Sequence, residues 1–131
     1  MHILIDTHIV LWSLYDSDRL SKNAVSYLQD PANRVYYSHV TVWETQIKFS
    51  IGKLPMSGED LIRDCEEMGF FPIPIRKDHI IGLKNLPYLS NGHKDPFDRL
   101  LIAQALTENL FFLTADRKIM QYPFQFIFRE D

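Results

Sequence analysis

Cysteine is almost absent: Cys65 stands alone in 131 residues. That excludes an internal disulfide and any zinc site built from several cysteines. Long apolar runs are missing too. Ile3-Leu4-Ile5 is cut off by Asp6, which is too short for a signal peptide, and nothing elsewhere approaches the ~18 apolar residues of a membrane span. The expectation is a cytoplasmic protein with no membrane segment. Charge of one sign is also lacking. A net charge of −3 does not advertise nucleic-acid binding, but taking four metal-held carboxylates out of it leaves +1 on the rest, so binding is not excluded. No repeat, low-complexity stretch or linker divides the chain, and residues 1–131 read as one domain.

What is present is enough for a core. Hydrophobic residues make up 46% of the chain, and nine Phe, six Tyr and two Trp argue against disorder. "HILI" (2–5) reads as a short buried strand, followed by a helix over 7–14. A second helix spans 20–29 and stops at Pro31, and "RVYYS" (34–38) is the next strand. Val40, Trp43, Ile47 and Ile51 form a helical stripe closed by Gly52, a natural C-cap. A helix over 57–69 carries Leu61, Ile62, Cys65 and Met68 on one face.

"FFPIPI" (70–75) suits a strand near a sheet edge, because its two prolines cannot donate to a ladder. Helices follow over 77–85 and 96–108, then a strand at 110–114, a short helix at 116–122 and a last strand at 124–128. Strands alternating with helices predict an α/β domain with a mostly parallel sheet covered on both faces.

Four acids invite attention, and each has an ordinary local explanation. Asp6 and Asp116 follow strands and can cap the helices after them. Glu44 can close a Thr41-x-x-Glu44 capping box or pair with Lys48. Asp98, three residues after Asp95, can be the reciprocal acid of a cap. Taken together they say more. Helices after parallel strands begin at the carboxyl edge of the sheet, where ligands bind at the switch of strand order. Capping acids collected there repel one another unless a cation is present, and carboxylate-only clusters suit Mg²⁺ and Mn²⁺.

The chain resembles the PIN domain family, and within it the ribonuclease toxins of bacterial VapBC toxin–antitoxin pairs. The resemblance rests on "LIDTHIVLW" (4–12), "VTVWETQIK" (40–48), "GKLP" (52–55), "KDPFDRLLIAQAL" (94–106) and "LTADRKI" (113–119), in the family's order across essentially the whole chain. It implies a three-layer fold with a five-stranded parallel sheet, order 3-2-1-4-5. It also implies a Mg²⁺ or Mn²⁺ site made by Asp6, Glu44, Asp98 and Asp116, supported by Thr114, for hydrolysis of RNA. A homodimer and an antitoxin partner, which often places an arginine into the acidic site, are further implications.

Asp95 is expected to support this site as the cap of the 96–108 helix. Lys48, Lys53, Lys94, Arg99 and Arg117 lie beside the acidic motifs and are candidates to meet substrate phosphates, although each is equally an ordinary surface charge. His8 and His93 have no partner at i+4 and no cysteine nearby, so neither is read as a zinc ligand. Cys65, Trp12 and Trp43 are expected to pack, although "IVLW" (9–12) is apolar enough to suggest a dimer interface.

Two phosphoryl-chemistry folds are set aside. A haloacid-dehalogenase phosphatase needs a second acid where His8 stands, and a receiver domain needs paired acids where "LIDTH" has one. The remaining rival is a PIN-like module that binds RNA or protein without cutting.

Overall fold

In "HILI", Ile3 and Ile5 project to one side of an extended chain and Leu4 to the other, so the strand can seed two cores at once. The computed structural model, which describes residues 1–131, uses it that way. Strand β1 (His2–Ile5) is central in a five-stranded sheet of order β3-β2-β1-β4-β5. The others are β2 (Arg34–Ser38), β3 (Phe71–Ile73), β4 (Phe111–Thr114) and β5 (Ile127–Arg129), and every pairing is parallel. Both the expected order and the α/β class are realised.

Six helices accompany the sheet: α1 (Thr7–Tyr15), α2 (Lys22–Gln29), α3 (His39–Ser50), α4 (Gly58–Glu67), α5 (Lys77–Gly82) and α6 (Pro96–Glu108). Ile3, Ile5, Val35, Tyr37 and Leu113 meet Ile9 and Val10 of α1 and Leu61 and Cys65 of α4 on one face. Leu4 and Phe112 meet Leu101, Ile102 and Ala105 of α6 and Val40 of α3 on the other. Burying each large apolar side chain contributes about 1.5–3 kcal/mol. Apolar contact on both faces is why β1 and β4 read as unbroken hydrophobic runs.

Local signals set the helix ends. Asp6, Ser21, Ser38, Ser57 and Asp95 are N-caps, and Ser57 with Asp60 forms a complete capping box. Gly52 has φ +74°, the left-handed conformation expected just after a helix. The proline-bearing β3 is the sheet edge, as expected, although only three residues long.

Four local expectations are corrected. The last strand occupies 127–129 rather than 124–128. Phe124 and Phe126 repeat with period two like a strand, but their rings stack face to face at 5.2 Å, and the Ile127 N–H returns to the Phe124 carbonyl at 3.4 Å. The short helix at 116–122 is a single 3₁₀ turn, Ile119–Gln121. Thr41 caps nothing, because α3 begins at His39 with Ser38 as its N-cap. "IVLW" is apolar surface only in its second half: Ile9 and Val10 are completely buried, whereas Leu11 and Trp12 pack partly against the same core and stay partly exposed.

Candidate active site

β1 and β4 are neighbours, yet β2 continues the sheet from one side of β1 and β5 from the far side of β4. Strand order therefore reverses between β1 and β4, and the carboxyl ends there form the cleft that such sheets use for ligands. Asp6 follows the last residue of β1. Its N–H donates to the Leu113 carbonyl at 3.0 Å, which ties it to β4. One Asp6 oxygen accepts the Thr7 N–H at 2.8 Å, and the other accepts the Thr114 hydroxyl at 2.7 Å. Thr114 Oγ1 in turn accepts the Asp116 N–H at 3.0 Å, so one buried hydroxyl links two acids.

Glu44 comes from the second turn of α3 and is nearly buried. Oε1 accepts the Thr7 hydroxyl at 3.3 Å, and Oε2 pairs with Lys48 Nζ at 2.9 Å. Thr7 gives its only hydroxyl proton to Glu44, so Thr41 must supply the hydrogen in its 3.0 Å contact with Thr7. Trp43 of α3, expected to pack but half exposed, meets Phe97 of α6 edge to face, 4.9 Å between centroids.

Asp95 caps α6 and accepts the Asp98 N–H at 2.9 Å, with Pro96 at the first helical position. The Asp98 carboxylate does not reciprocate to the cap. It turns to His93, whose Nε2 lies 3.1 Å from Oδ2. Burial comes first in raising the Asp98 carboxyl, then the charges of Asp6, Asp95, Glu44 and Asp116; it is pushed up to about 8. The other three predicted acids thus all act on Asp98. Asp6 is also raised, chiefly by burial, although its two donors pull it back. Ligand-type atoms of His93, Asp98 and Asp116 lie within 4.8 Å of one another. An edge of carboxylates, with Asp6 and Glu44 buried, Asp98 and Asp116 half-buried and only Glu44 paired with a lysine, fits a hard divalent cation.

The cations divide. Lys53, Lys94 and Arg117 are exposed, and Lys48 is held by Glu44. Arg99 departs from the expectation of a substrate contact. It is 5% exposed and donates to the Leu86 and Pro87 carbonyls and to Tyr122 Oη at 2.8–3.1 Å. A guanidinium so fully engaged braces the loop ahead of α6 rather than meeting solvent.

His93 and Tyr122 are the site residues that sequence reading missed. Spacing rules for ligands look for i+4 partners, whereas His93 meets Asp98 at i+5 because the chain turns through Gly92, φ +82°, and the Asp95 cap. The available signal was a polar ring immediately before "KDPFDR" and after a glycine.

No curated protein matches the chain, but solved structures share its fold. VapBC2 from Rickettsia felis, bound to a DNA fragment from its promoter, has a chain 16% identical with TM-score 0.72, covering 98% of each chain. DNA-bound VapBC from Salmonella typhimurium gives 12% identity and TM-score 0.70, over 100% of this chain and 99% of that one. VapBC-1 from nontypeable Haemophilus influenzae gives 19% and 0.63, over 92% and 91%. Residues 3–125 match the family model described as PIN domain, and the chain belongs to that family.

Proposed function

We propose that this chain, acting as a single cytoplasmic domain, is a Mg²⁺- or Mn²⁺-dependent endoribonuclease, the toxin of a toxin–antitoxin pair. The observation supporting this is Asp6 at the β1–β4 switch point, linked to Asp116 through Thr114, beside an Asp98 carboxyl raised first by burial and then by Asp6, Asp95, Glu44 and Asp116. The toxin assignment leans on the fold shared with chains of VapBC complexes. An antitoxin partner and a homodimer belong to the same reading.

Asp6, Asp98 and Asp116 are the residues that would hold the cation. When bound, a divalent ion supplies a water of lowered pKa and neutralises charge on the scissile phosphate. Glu44, with its oxygens fixed by Lys48 and Thr7, is suited to orient the attacking water or to complete the ligand set. Thr114 keeps the Asp6 carboxylate and the Asp116 backbone in register. Exposed Lys94 and Arg117 flank the acids and offer charge to the RNA backbone, with Lys48 beside Glu44.

The test is cleavage of RNA by chelator-treated protein, then by the same protein with Mg²⁺ or Mn²⁺ restored. Wild type should regain activity, and Asp6→Asn, purified free of contaminating nuclease, should not. Cleavage by Asp6→Asn at the wild-type rate would refute the mechanism. Binding of RNA without cleavage by wild type would instead favour the non-cutting PIN-like module.

A further inference from the structure

His93 looks like a metal ligand by distance alone, since one of its ring nitrogens shares a 4.8 Å neighbourhood with oxygens of Asp98 and Asp116. Hydrogen-bond valence argues otherwise. Tyr122 is 3% exposed, and its hydroxyl has two partners, Arg99 Nη1 at 3.0 Å and His93 Nδ1 at 2.8 Å. Arginine only donates, so the Tyr122 oxygen accepts from Arg99. The Tyr122 proton then has one acceptor in reach, His93 Nδ1. With Nδ1 accepting, a neutral ring carries its hydrogen on Nε2, which donates to Asp98 Oδ2 at 3.1 Å. With Asp98 ionised, as a bound cation would keep it, the chain runs in one direction: Arg99 to Tyr122 to His93 to Asp98. Its far end is anchored by the Leu86 and Pro87 carbonyls.

We infer that His93 is a positioning residue for Asp98: its Nε2–H holds one carboxylate oxygen and leaves Oδ1 for a divalent cation, while neither ring nitrogen is free to ligate. This rests on the metal-site reading above and deepens it. His93 is 6% exposed and its ring meets Tyr122 edge-on, 5.4 Å between centroids at 88°, so water cannot readily replace it as the donor. A carboxylate without that donor keeps its charge but loses its orientation.

The first measurement is a long-range ¹H–¹⁵N spectrum of metal-free wild type. It should show His93 Nδ1 unprotonated and Nε2 protonated. Tyr122→Phe should weaken the preference for that tautomer, because nothing then donates to Nδ1 and Asp98 alone holds the Nε2 proton. Addition of Mg²⁺ should leave the Nε2 proton in place, and its loss would make His93 a ligand and overturn the inference.

The second measurement is Mn²⁺ affinity by calorimetry or electron paramagnetic resonance. His93→Phe should weaken binding about 10–100-fold, as loss of a partner that orients a ligand does. His93→Gln, whose amide N–H reaches the Nε2 position, should recover most of it. Wild-type binding with an undiminished His93→Phe would refute this inference alone. Failure of wild type to bind Mn²⁺ would remove the metal site and this inference with it. Should His93→Phe not fold, the wild-type tautomer and the Tyr122→Phe affinity decide the matter.

Discussion

The Thr114 hydroxyl donates to Asp6 Oδ2 at 2.7 Å and is buried completely, so one side-chain proton joins the ends of two strands that are already paired along the backbone. The same oxygen accepts the Asp116 N–H. Thr114→Val keeps the shape and removes both interactions, leaving a buried carboxylate oxygen and a backbone donor short of partners. A loss of about 1–3 kcal/mol is expected, with reduced cleavage. Thr114→Ser should restore both. A valine variant like wild type beside an impaired serine variant in thermal unfolding and RNA cleavage would show the methyl group, not the hydroxyl, to be what matters.

Asp95 and Asp98 sit three residues apart and should fail differently. Asp95 accepts the Asp98 N–H as the N-cap, while the Asp98 side chain leaves the helix end for His93. Asp95→Asn keeps a capping oxygen and should retain fold and most activity, whereas Asp95→Ala should lose about 1 kcal/mol. Asp98→Asn leaves the cap intact, so the protein should fold, and cleavage should fall by orders of magnitude. An inactive Asp95→Asn beside an active Asp98→Asn would reverse these roles.

The crowded acids make stability depend on pH and on metal. Burial, followed by its acidic neighbours, raises the Asp98 carboxyl from 3.8 to about 8 in the folded chain. Between these values the native state binds the extra proton, so this group's contribution is full below pH ~4 and is lost as pH rises towards ~8. His93 is lowered, chiefly by burial, and acts in the opposite sense below its ordinary value. Comparison with Asp98→Asn therefore isolates the acid. Metal-free wild type should lose more stability than this variant from pH 5 to 8, on the order of 1 kcal/mol after allowance for solvent screening. Mg²⁺ should raise the wild-type melting temperature more than that of Asp116→Asn. Parallel pH curves and equal Mg²⁺ responses would mean that the acids do not share a site.

The sheet was legible because β1 and β4 are uninterrupted apolar runs ending in a polar residue, and the helix starts because Ser57, Asp95 and Pro96 are strong local signals. Of the four acids only Asp6 caps the helix after its strand; Glu44, Asp98 and Asp116 cap none, and they were picked out by the family resemblance. What escaped was decided by tertiary contact. Phe124 and Phe126 have strand-like spacing, but stacking against one another and Tyr122 wins over pairing. Arg99 reads as a surface cation until the Leu86–Pro87 loop folds over it. His93 becomes meaningful only once Tyr122, 29 residues later, supplies a proton to its ring.

That difference among the cations yields a final pair of variants. Arg99 satisfies two loop carbonyls and the Tyr122 hydroxyl, and its guanidinium lies 4.0 Å from the Tyr88 ring centroid. Arg99→Ala should therefore destabilise, at about 1–3 kcal/mol for each polar group left buried without a partner. Arg99→Lys should rescue poorly, because an ammonium cannot reproduce the planar fork. Lys94 and Arg117 are exposed, so their alanine variants should unfold within about 0.5 kcal/mol of wild type. Those same variants should bind RNA more weakly, regardless of sequence, and flatten the salt dependence by about 0.7 for each phosphate no longer neutralised. RNA affinity should be measured by titration at several salt concentrations with inactive Asp6→Asn as background, alongside denaturant melts. A stable Arg99→Ala that merely loses RNA affinity would return Arg99 to the substrate surface. Unchanged salt slopes in Lys94→Ala and Arg117→Ala would place the RNA path elsewhere on the protein.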